Sequence, residues 1–393
     1  MKLERDITPK GHYNVVVVGG GIAGVAAALS AVRAGASVLL LEKSINLGGL
    51  ATGGLISWYE PLCDGKGNQM IHGIAEELIR LASRVGFNNL PAAWGGEGKN
   101  AHRDGRFSSY YSPTVFSLAL DRLVRENGVV LRPDSLAVTP LLQGERCVGV
   151  AVESAGGCEL FEADTVVDAT GDASMFHRAG LPTVDGENYF TYVAHAMTRK
   201  GLARYLEDGD LCRYRQWINV GSNLYGNGHP EGMKRPSGTT AEEIAEFLAI
   251  GKDRMLARIE EGEGEIAELW SIPTMPQFRT IRRIVGNTDF EGVDGKKYVD
   301  AIGECGDFRP KGVGMHFEIP LGALWHKDCT NLLAAGRIIS APQGDPWEIT
   351  RVIPICALTG EAAGRAAAIC ALSGRTLAEL NAEDVQKIKI HAD

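Results

Sequence analysis

The stretch YNVVVVGGGIAGVAAA, residues 13–28, constrains this chain more than any other. Gly19, Gly21 and Gly24 stand at the spacing G-x-G-x-x-G. In 393 residues that include 49 glycines such a spacing arises by accident, so the flanks have to decide its meaning. Before it, NVVVV is a continuous β-branched run of the kind buried on both faces of a parallel sheet. After it, IAGVAAALSAVRAG has good helix propensity, with Gly35 where a helix would stop. ASVLLLEK then reads as a second strand ending at Glu42. A strand, glycine turn, helix and strand with an acid at the second strand's end form a β-α-β dinucleotide-binding unit. In such a unit the first glycine permits the tight turn, the second lets backbone approach a pyrophosphate, and the third lets the helix pack on the strand. The ligand phosphates lie at the helix N-terminus, where free N–H groups and the helix dipole favour negative charge. The competing reading is a glycine-rich turn that holds no ligand.

Composition narrows the classes. The formal net charge of −9 disfavours nucleic acid as a partner, because phosphate neutralisation needs basic patches. The opening MKLERDITPKGHY has no apolar core of signal-peptide type, and no later run was expected to supply the roughly 20 apolar residues that span a bilayer. The expectation is a cytoplasmic protein without membrane contact. The eight cysteines are scattered, with no C-x-x-C and no zinc-type Cys/His spacing, so neither a metal site nor a disulfide reductase is expected.

The remainder of the chain reads as two more blocks. GIAEELIRLASRVG and, after Pro113, TVFSLALDRLVRENG have helical patterns, and residues 129–172 alternate between apolar and polar residues as strands with at least one hairpin. From about 178 to 318 the pattern breaks, apart from one clear helix around TAEEIAEFLAIGKDRMLARIEEG. The chain then returns to a buried strand, NLLAAGRIIS, and an alanine-rich helix beginning near Thr350, whose hydroxyl is expected to cap it, with Pro354 in its first turn. The fold expected is α/β: a Rossmann-type domain with a parallel sheet, helices and a β-meander, built from residues 1–177 and 319–393, around an inserted α+β substrate domain at 178–318.

NAD and FAD share the glycine fingerprint, so other segments must separate them. KSINLGGLATGGL places glycine pairs 48–49 and 53–54 around Thr52, which suits the second half of an extended ligand such as FAD. TVVDATGD ends an apolar strand in Ala-Thr-Gly, and the final helix offers its N-terminus to charge that develops on a reduced flavin. With RTIRRIVG and FEIPLGALWHKDCTNLLAAGRIIS, these stretches resemble the FAD-dependent oxidoreductases with a glutathione-reductase-like flavin fold, related to the fumarate-reductase and glucose-inhibited-division types. The resemblance covers about half the chain and leaves most of 178–275 unmatched.

The resemblance implies FAD as cofactor. It places the adenosine diphosphate on Gly19, Gly21, Ile22, Ala23 and Gly24, with Glu42 on the ribose and Lys43 beside it. Gly49, Leu50, Ala51 and Thr52 would follow the ribityl and pyrophosphate, and Val138 would present backbone to the adenine. Ala169, Thr170 and Gly171 would close the nucleotide side. Gly336 and Arg337 stand where many relatives have Gly-Asp on the ribityl chain, and Arg337 is expected to pair with a flavin phosphate or with Glu348. Arg351, Val352 and Ile353 would lie at the flavin ring.

Substrate-side candidates come from the middle of the chain and its borders. Arg279, Arg282 and Arg283 suit a carboxylate or other anion through a bidentate fork, or else they hold a salt-bridged strand. His316 and His72 are candidate acids or bases, against the alternative that both are structural. Tyr110 and Tyr111 read as packing residues, whereas Trp347 and Glu348 precede the flavin-facing helix and would face the ring. The function expected is transfer of two electrons, as hydride, between flavin N5 and a small organic substrate, anionic in one reading. A single glycine fingerprint argues against a second nicotinamide domain, which leaves oxygen, a quinone, a carrier protein or transient NAD(P)H as electron partner. A non-catalytic flavin redox sensor and a nucleotide- or tRNA-modifying flavoenzyme stay open as alternatives, as does homo-oligomerisation.

Overall fold

The computed structural model describes residues 7–83, 90, 105–262 and 264–386. Its centre is a seven-stranded sheet that starts from the strand Thr8–Val18. On one side lie Val38–Leu41 and then Val130–Arg132, both parallel to it. On the other lies Gly157–Asp168, also parallel. The first half of that strand continues antiparallel into Arg146–Ser154 and Leu136–Gln143, which form the meander, while its last residues, Val166–Asp168, take Leu332–Ala334 as a parallel partner.

The valine run explains why the sheet is sandwiched. Successive strand side chains point to opposite faces. Val15 and Val17 belong to one apolar cluster and Val16 and Val18 to the other, all almost wholly buried. Leu40 and its neighbours Leu39 and Leu41 divide the same way. Burial on both faces is what an unbroken apolar strand requires.

Two helices from opposite ends of the chain cover one face. Ile22–Arg33 follows the glycine turn, and Ile353–Ser373 is the long alanine-rich helix. Their contact is set by Gly360 and Gly364, one turn apart. A Cβ at Gly360 would lie 2.1 Å from the Ala23 carbonyl oxygen, and one at Gly364 would lie 2.0 Å from that of Ala27. Contrary to the sequence expectation, Ile353–Ser373 is long and apolar enough to cross a membrane by length and composition, with 61% of its most apolar window buried inside the protein. The expected cap also differs. Thr350 ends a short preceding helix, Asp345–Thr350, and its hydroxyl bonds back to Pro346 and Trp347 carbonyls, while the long helix begins after Val352 without a side-chain cap.

The middle of the chain builds a separate layer. Gln216–Asn219, Val193–Thr198 and Ile266–Ser271 form an antiparallel sheet, against which Ala241–Glu261 packs with Thr240 as its N-cap. Its cluster of Phe190, Tyr192, Ala194, Phe247, Met255 and Phe278 lies inside the expected 178–318 segment. Phe290, Ile302 and Phe317, by contrast, pack into the cluster that holds Val15 and Val17, and Leu181 and Ile284 into that of Val16 and Val18.

His195 sits on the seam between the layers. It is 2% exposed; its Nε2 accepts from Trp217 Nε1 at 2.7 Å and lies 3.4 Å from Ser57 Oγ, in the loop that follows the glycine pairs. Burial, with help from the nearby Arg215 cation, holds its pKa down at about 3. The ring is therefore neutral in the folded protein at pH values where an unfolded histidine, titrating near 6.5, takes up a proton.

Two outcomes follow from these contacts. Alanine at position 364 gains about 1 kcal/mol of helix propensity over glycine, yet overpacking costs about 1–3 kcal/mol, so Gly364→Ala should lower the melting temperature. An unchanged or raised melting temperature would show that the helices separate at little cost. For His195, the unfolded state binds the extra proton between pH 6.5 and about 3, so stability falls as pH drops through that window. Comparing His195→Gln with the parent cancels the other titrating groups; the acid loss of stability should be shallower in the variant by at most about 1.4 kcal/mol per pH unit. Parallel stability curves between pH 7.5 and 4.5 would remove His195 from the account.

Candidate functional site

The nucleotide turn is shaped by three glycines for three different reasons. Gly19 has φ +100°, and a Cβ there would meet the Ala169 carbonyl oxygen at 2.6 Å, so two strand ends approach as only glycine allows. A Cβ on Gly24 would lie 1.7 Å from the Gly19 carbonyl oxygen, which fixes helix against turn. Gly21 is the N-cap of Ile22–Arg33 and faces open space, with no atom within 4 Å of its Cβ position. That helix has no side-chain cap and no acid in its first turn, and its first bond runs from Val25 N to Gly21 O. The N–H groups of Ile22, Ala23 and Gly24 thus have no intrahelical partner and suit a pyrophosphate.

The second glycine segment backs onto the first. Gly48 N donates to Gly20 O at 2.8 Å, and a Cβ on Gly49 would come within 3.2 Å of Gly21 Cα. Leu50 and Ala51 complete the short turn Gly49–Ala51. Thr52 is 4% exposed, and its hydroxyl donates to Leu47 O at 2.5 Å, so its side chain braces the loop. Glu42 accepts from Gly20 N at 2.6 Å and from Ser44 N at 2.7 Å, one on each carboxylate oxygen. A carboxylate has about four lone-pair sites, so two bonds hold it in place and leave capacity for ribose hydroxyls. Lys43 beside it is exposed. The meander's ladder shifts register between Ala137 and Thr139, which takes Val138 out of regular pairing. Its carbonyl accepts from Arg178 Nη1, so that oxygen is already engaged.

The Ala169-Thr170-Gly171 turn depends on Asp168, which the sequence reading passed over. This fully buried carboxylate accepts from Thr170 Oγ1 at 2.6 Å, Thr170 N at 3.1 Å and Met175 N at 2.9 Å. Burial pushes its pKa up to about 6 despite those donors. An acid closing an apolar strand just before Thr-Gly was the available signal.

Arg337 does not pair with Glu348, one of its two expected partners. Its partly buried guanidinium donates from Nε to Gly171 O and from Nη1 to Phe278 O, each at 2.7 Å, while its own carbonyl accepts from Trp347 Nε1 at 2.6 Å. It ties the nucleotide loop to the middle layer. Gly336, at φ +82°, leaves 2.9 Å between a Cβ and Ala23 Cβ, which brings this turn onto the first helix. Glu348 pairs with Arg351, whose Nε lies 2.9 Å from Glu348 Oε2. Arg351 and Val352 lead directly into the N-terminus at Ile353, where Pro354 lacks an N–H and no acid stands in the first turn.

The substrate-side candidates disperse. A cleft between the middle layer and the loop before the long helix is lined by Asn188, Tyr189, Arg235, Arg279, Gln343 and Glu348, among others. Of the substrate-side candidates, Arg279 and Glu348 line it, whereas Arg282, Arg283, His316 and His72 do not. Arg282 is bound to Asp185 at 3.0 Å and to Asp172 O at 3.2 Å, and Arg283 lies 3.8 Å from Asp289. His316 Nε2 sits 3.3 Å from Asp64 Oδ2. Burial alone would raise the Asp64 pKa, but Asn68, the Lys66 N–H and His316 hold it at about 2. The His72 side chain is 65% exposed, 3.9 Å from Glu76. Tyr111 is a packing residue as expected, with its hydroxyl on the Ala51 and Ile56 carbonyls.

Two solved structures share the architecture. A geranylgeranyl bacteriochlorophyll reductase-like protein from Thermoplasma acidophilum aligns at TM-score 0.50 and 15% identity, over 93% of this chain and 80% of its own. A myxobacterial chondrochloren halogenase, a variant FAD-dependent halogenase, aligns at TM-score 0.50 and 15% identity, over 95% and 77%. At that identity they show the fold alone. No curated protein matches the sequence. The model of the family described as FAD dependent oxidoreductase matches residues 14–230 and 265–388, which takes in the glycine turn, the meander, Arg337 and the long helix. The chain belongs to that family of FAD-dependent oxidoreductases.

Proposed function

We propose that this FAD-dependent enzyme moves two electrons, as hydride, between flavin N5 and a small organic substrate held in the cleft beside the long helix. The observation that carries this reading is the start of Ile353–Ser373. It is uncapped and free of acids, and it is fixed against the first helix through Gly360 and Gly364. Bound FAD supplies the two-electron chemistry. The protein supplies position and charge. The first helix's free N–H groups hold the pyrophosphate, and Glu42 holds the ribose. The N–H groups that open the long helix stand where negative charge on a flavin's pyrimidine edge would be stabilised. The middle layer roofs the cleft, and Arg337 keeps that roof on the nucleotide loop. The dispersed histidines favour substrate binding and orientation over a histidine acid or base.

The reading is tested by anaerobic mixing of the yellow protein with panels of hydroxy acids, amines, alcohols and NAD(P)H. Loss of the flavin absorption band with at least one donor is expected. A FAD-replete protein that no donor reduces, and that in reduced form passes electrons to no organic acceptor, would turn the case toward a redox sensor. The pyrophosphate placement has its own test. Gly21→Val fills the open space at the helix start, so FAD content of the folded variant should fall by at least about tenfold. Stoichiometric FAD in that variant would refute the placement.

A further inference from the structure

RTIRR contains three arginines, and the structure gives two of them structural partners. Arg282 belongs to Asp185 and the Asp172 carbonyl, and Arg283 to Asp289 and the Ile284 carbonyl. Arg279 differs. Its backbone N–H donates to Asn188 Oδ1 at 2.9 Å, but among the described residues its guanidinium has neither a hydrogen bond nor an ion pair. The side chain is partly buried and lines the cleft. The acid that acts on it electrostatically, Glu348, is already held by Arg351 at 2.9 Å, and Arg351 adds a second positive charge nearby. Burial and that neighbour bring the pKa of Arg279 down to about 10, which leaves it a cation at neutral pH.

A partly buried guanidinium with no acceptor among the described residues keeps its planar fork of donors open to an oxyanion that enters the cleft. We propose that Arg279 anchors an anion subsite in this cleft, and that the substrate presents a carboxylate to it. This rests on the reading that the cleft holds the substrate of the flavin reaction. The charge count favours a monoanion. Arg235 lies 3.6 Å from Glu187 and Arg351 pairs with Glu348, so Arg279 is the cation left over, and its single charge matches a monoanion better than a phosphate dianion. Arg235 also stacks its guanidinium 4.3 Å from the Tyr189 ring centre, which engages that second cation on the cleft wall as well.

The experiment uses the FAD-replete protein and simple probes at constant ionic strength. Sodium benzoate and sodium acetate are titrated against benzyl alcohol and inorganic phosphate, with the flavin difference spectrum and the melting temperature as readouts. At least one carboxylate should bind saturably, with benzyl alcohol inert and phosphate weaker. Arg279→Gln should weaken carboxylate binding by at least about tenfold, as expected for losing a charge-assisted pair. Arg279→Lys should lose less, and Arg258→Gln, which alters a surface pair with Glu265 elsewhere, should bind like the parent. FAD content should be equal in all four proteins. Equal affinity in Arg279→Gln, or no saturable response to either carboxylate, overturns the subsite, and tighter binding of phosphate overturns its assignment to a monoanion. The two readings fail separately. Carboxylate binding through Arg279 in a protein whose flavin no donor reduces would sink the redox function and leave the subsite. A reducible flavin with no carboxylate response would do the reverse.

Discussion

The contact between the first helix and the last is the constraint on which the rest of the site depends. Both begin without a side-chain cap, and in the proposed function both ends face one extended ligand. Gly360 and Gly364 remove the side chains that would hold the axes apart, and Ala23 and Ala27 answer them on the opposing surface. The two facing pairs each recur after four residues, so they lie along one stripe of each helix. That stripe aligns two ends of the polypeptide more than 300 residues apart in sequence. Neither end alone makes a flavin site.

The FAD-binding half was legible because its chemistry is local. Gly19, Gly21, Gly24 and Glu42 lie in one β-α-β unit; Gly19 and Gly24 answer to steric limits and Glu42 to hydrogen bonds, while Gly21 leaves open space at the helix start. The valine run likewise announces a strand buried on both faces. What spacing could not show is which partner a long side chain chooses. Glu348 was one expected partner of Arg337, yet the arginine's Nε and Nη1 donate to two carbonyls from segments 107 residues apart, Gly171 and Phe278. Asp168 escaped for a related reason, since a carboxylate in an apolar strand end looks like a border residue until the amides it gathers are seen.

The middle layer shows the same limit more sharply. Its helix and cap at Thr240 follow from local rules, and Thr240 accepts from Glu243 N at 3.2 Å as such a cap should. The duties of Arg282 and Arg283 are set by acids outside their own strand, Asp185 on the paired strand and Asp289 in the loop that follows, and among the described residues no such acid pairs with Arg279. A cluster of cations in sequence is therefore no guide to a binding site. The informative member is the one whose charge the fold leaves unmatched.

Arg337 also limits how this architecture can be rebuilt. A single cation that holds a nucleotide-loop carbonyl and a roof carbonyl makes Phe278 an obligatory return point for the chain. Between Phe190 and Phe278 the layer can exchange surface features, provided it keeps that carbonyl and the seam contacts of His195 and Trp217 with Ser57 and of Gln277 with the Gly54 carbonyl. Transplanting the roof onto another flavin domain by matching its sheet alone would leave the partly buried guanidinium half satisfied. A graft that carried residues 171, 278 and 337 together would keep both carbonyls, and with them the alignment of roof to nucleotide loop.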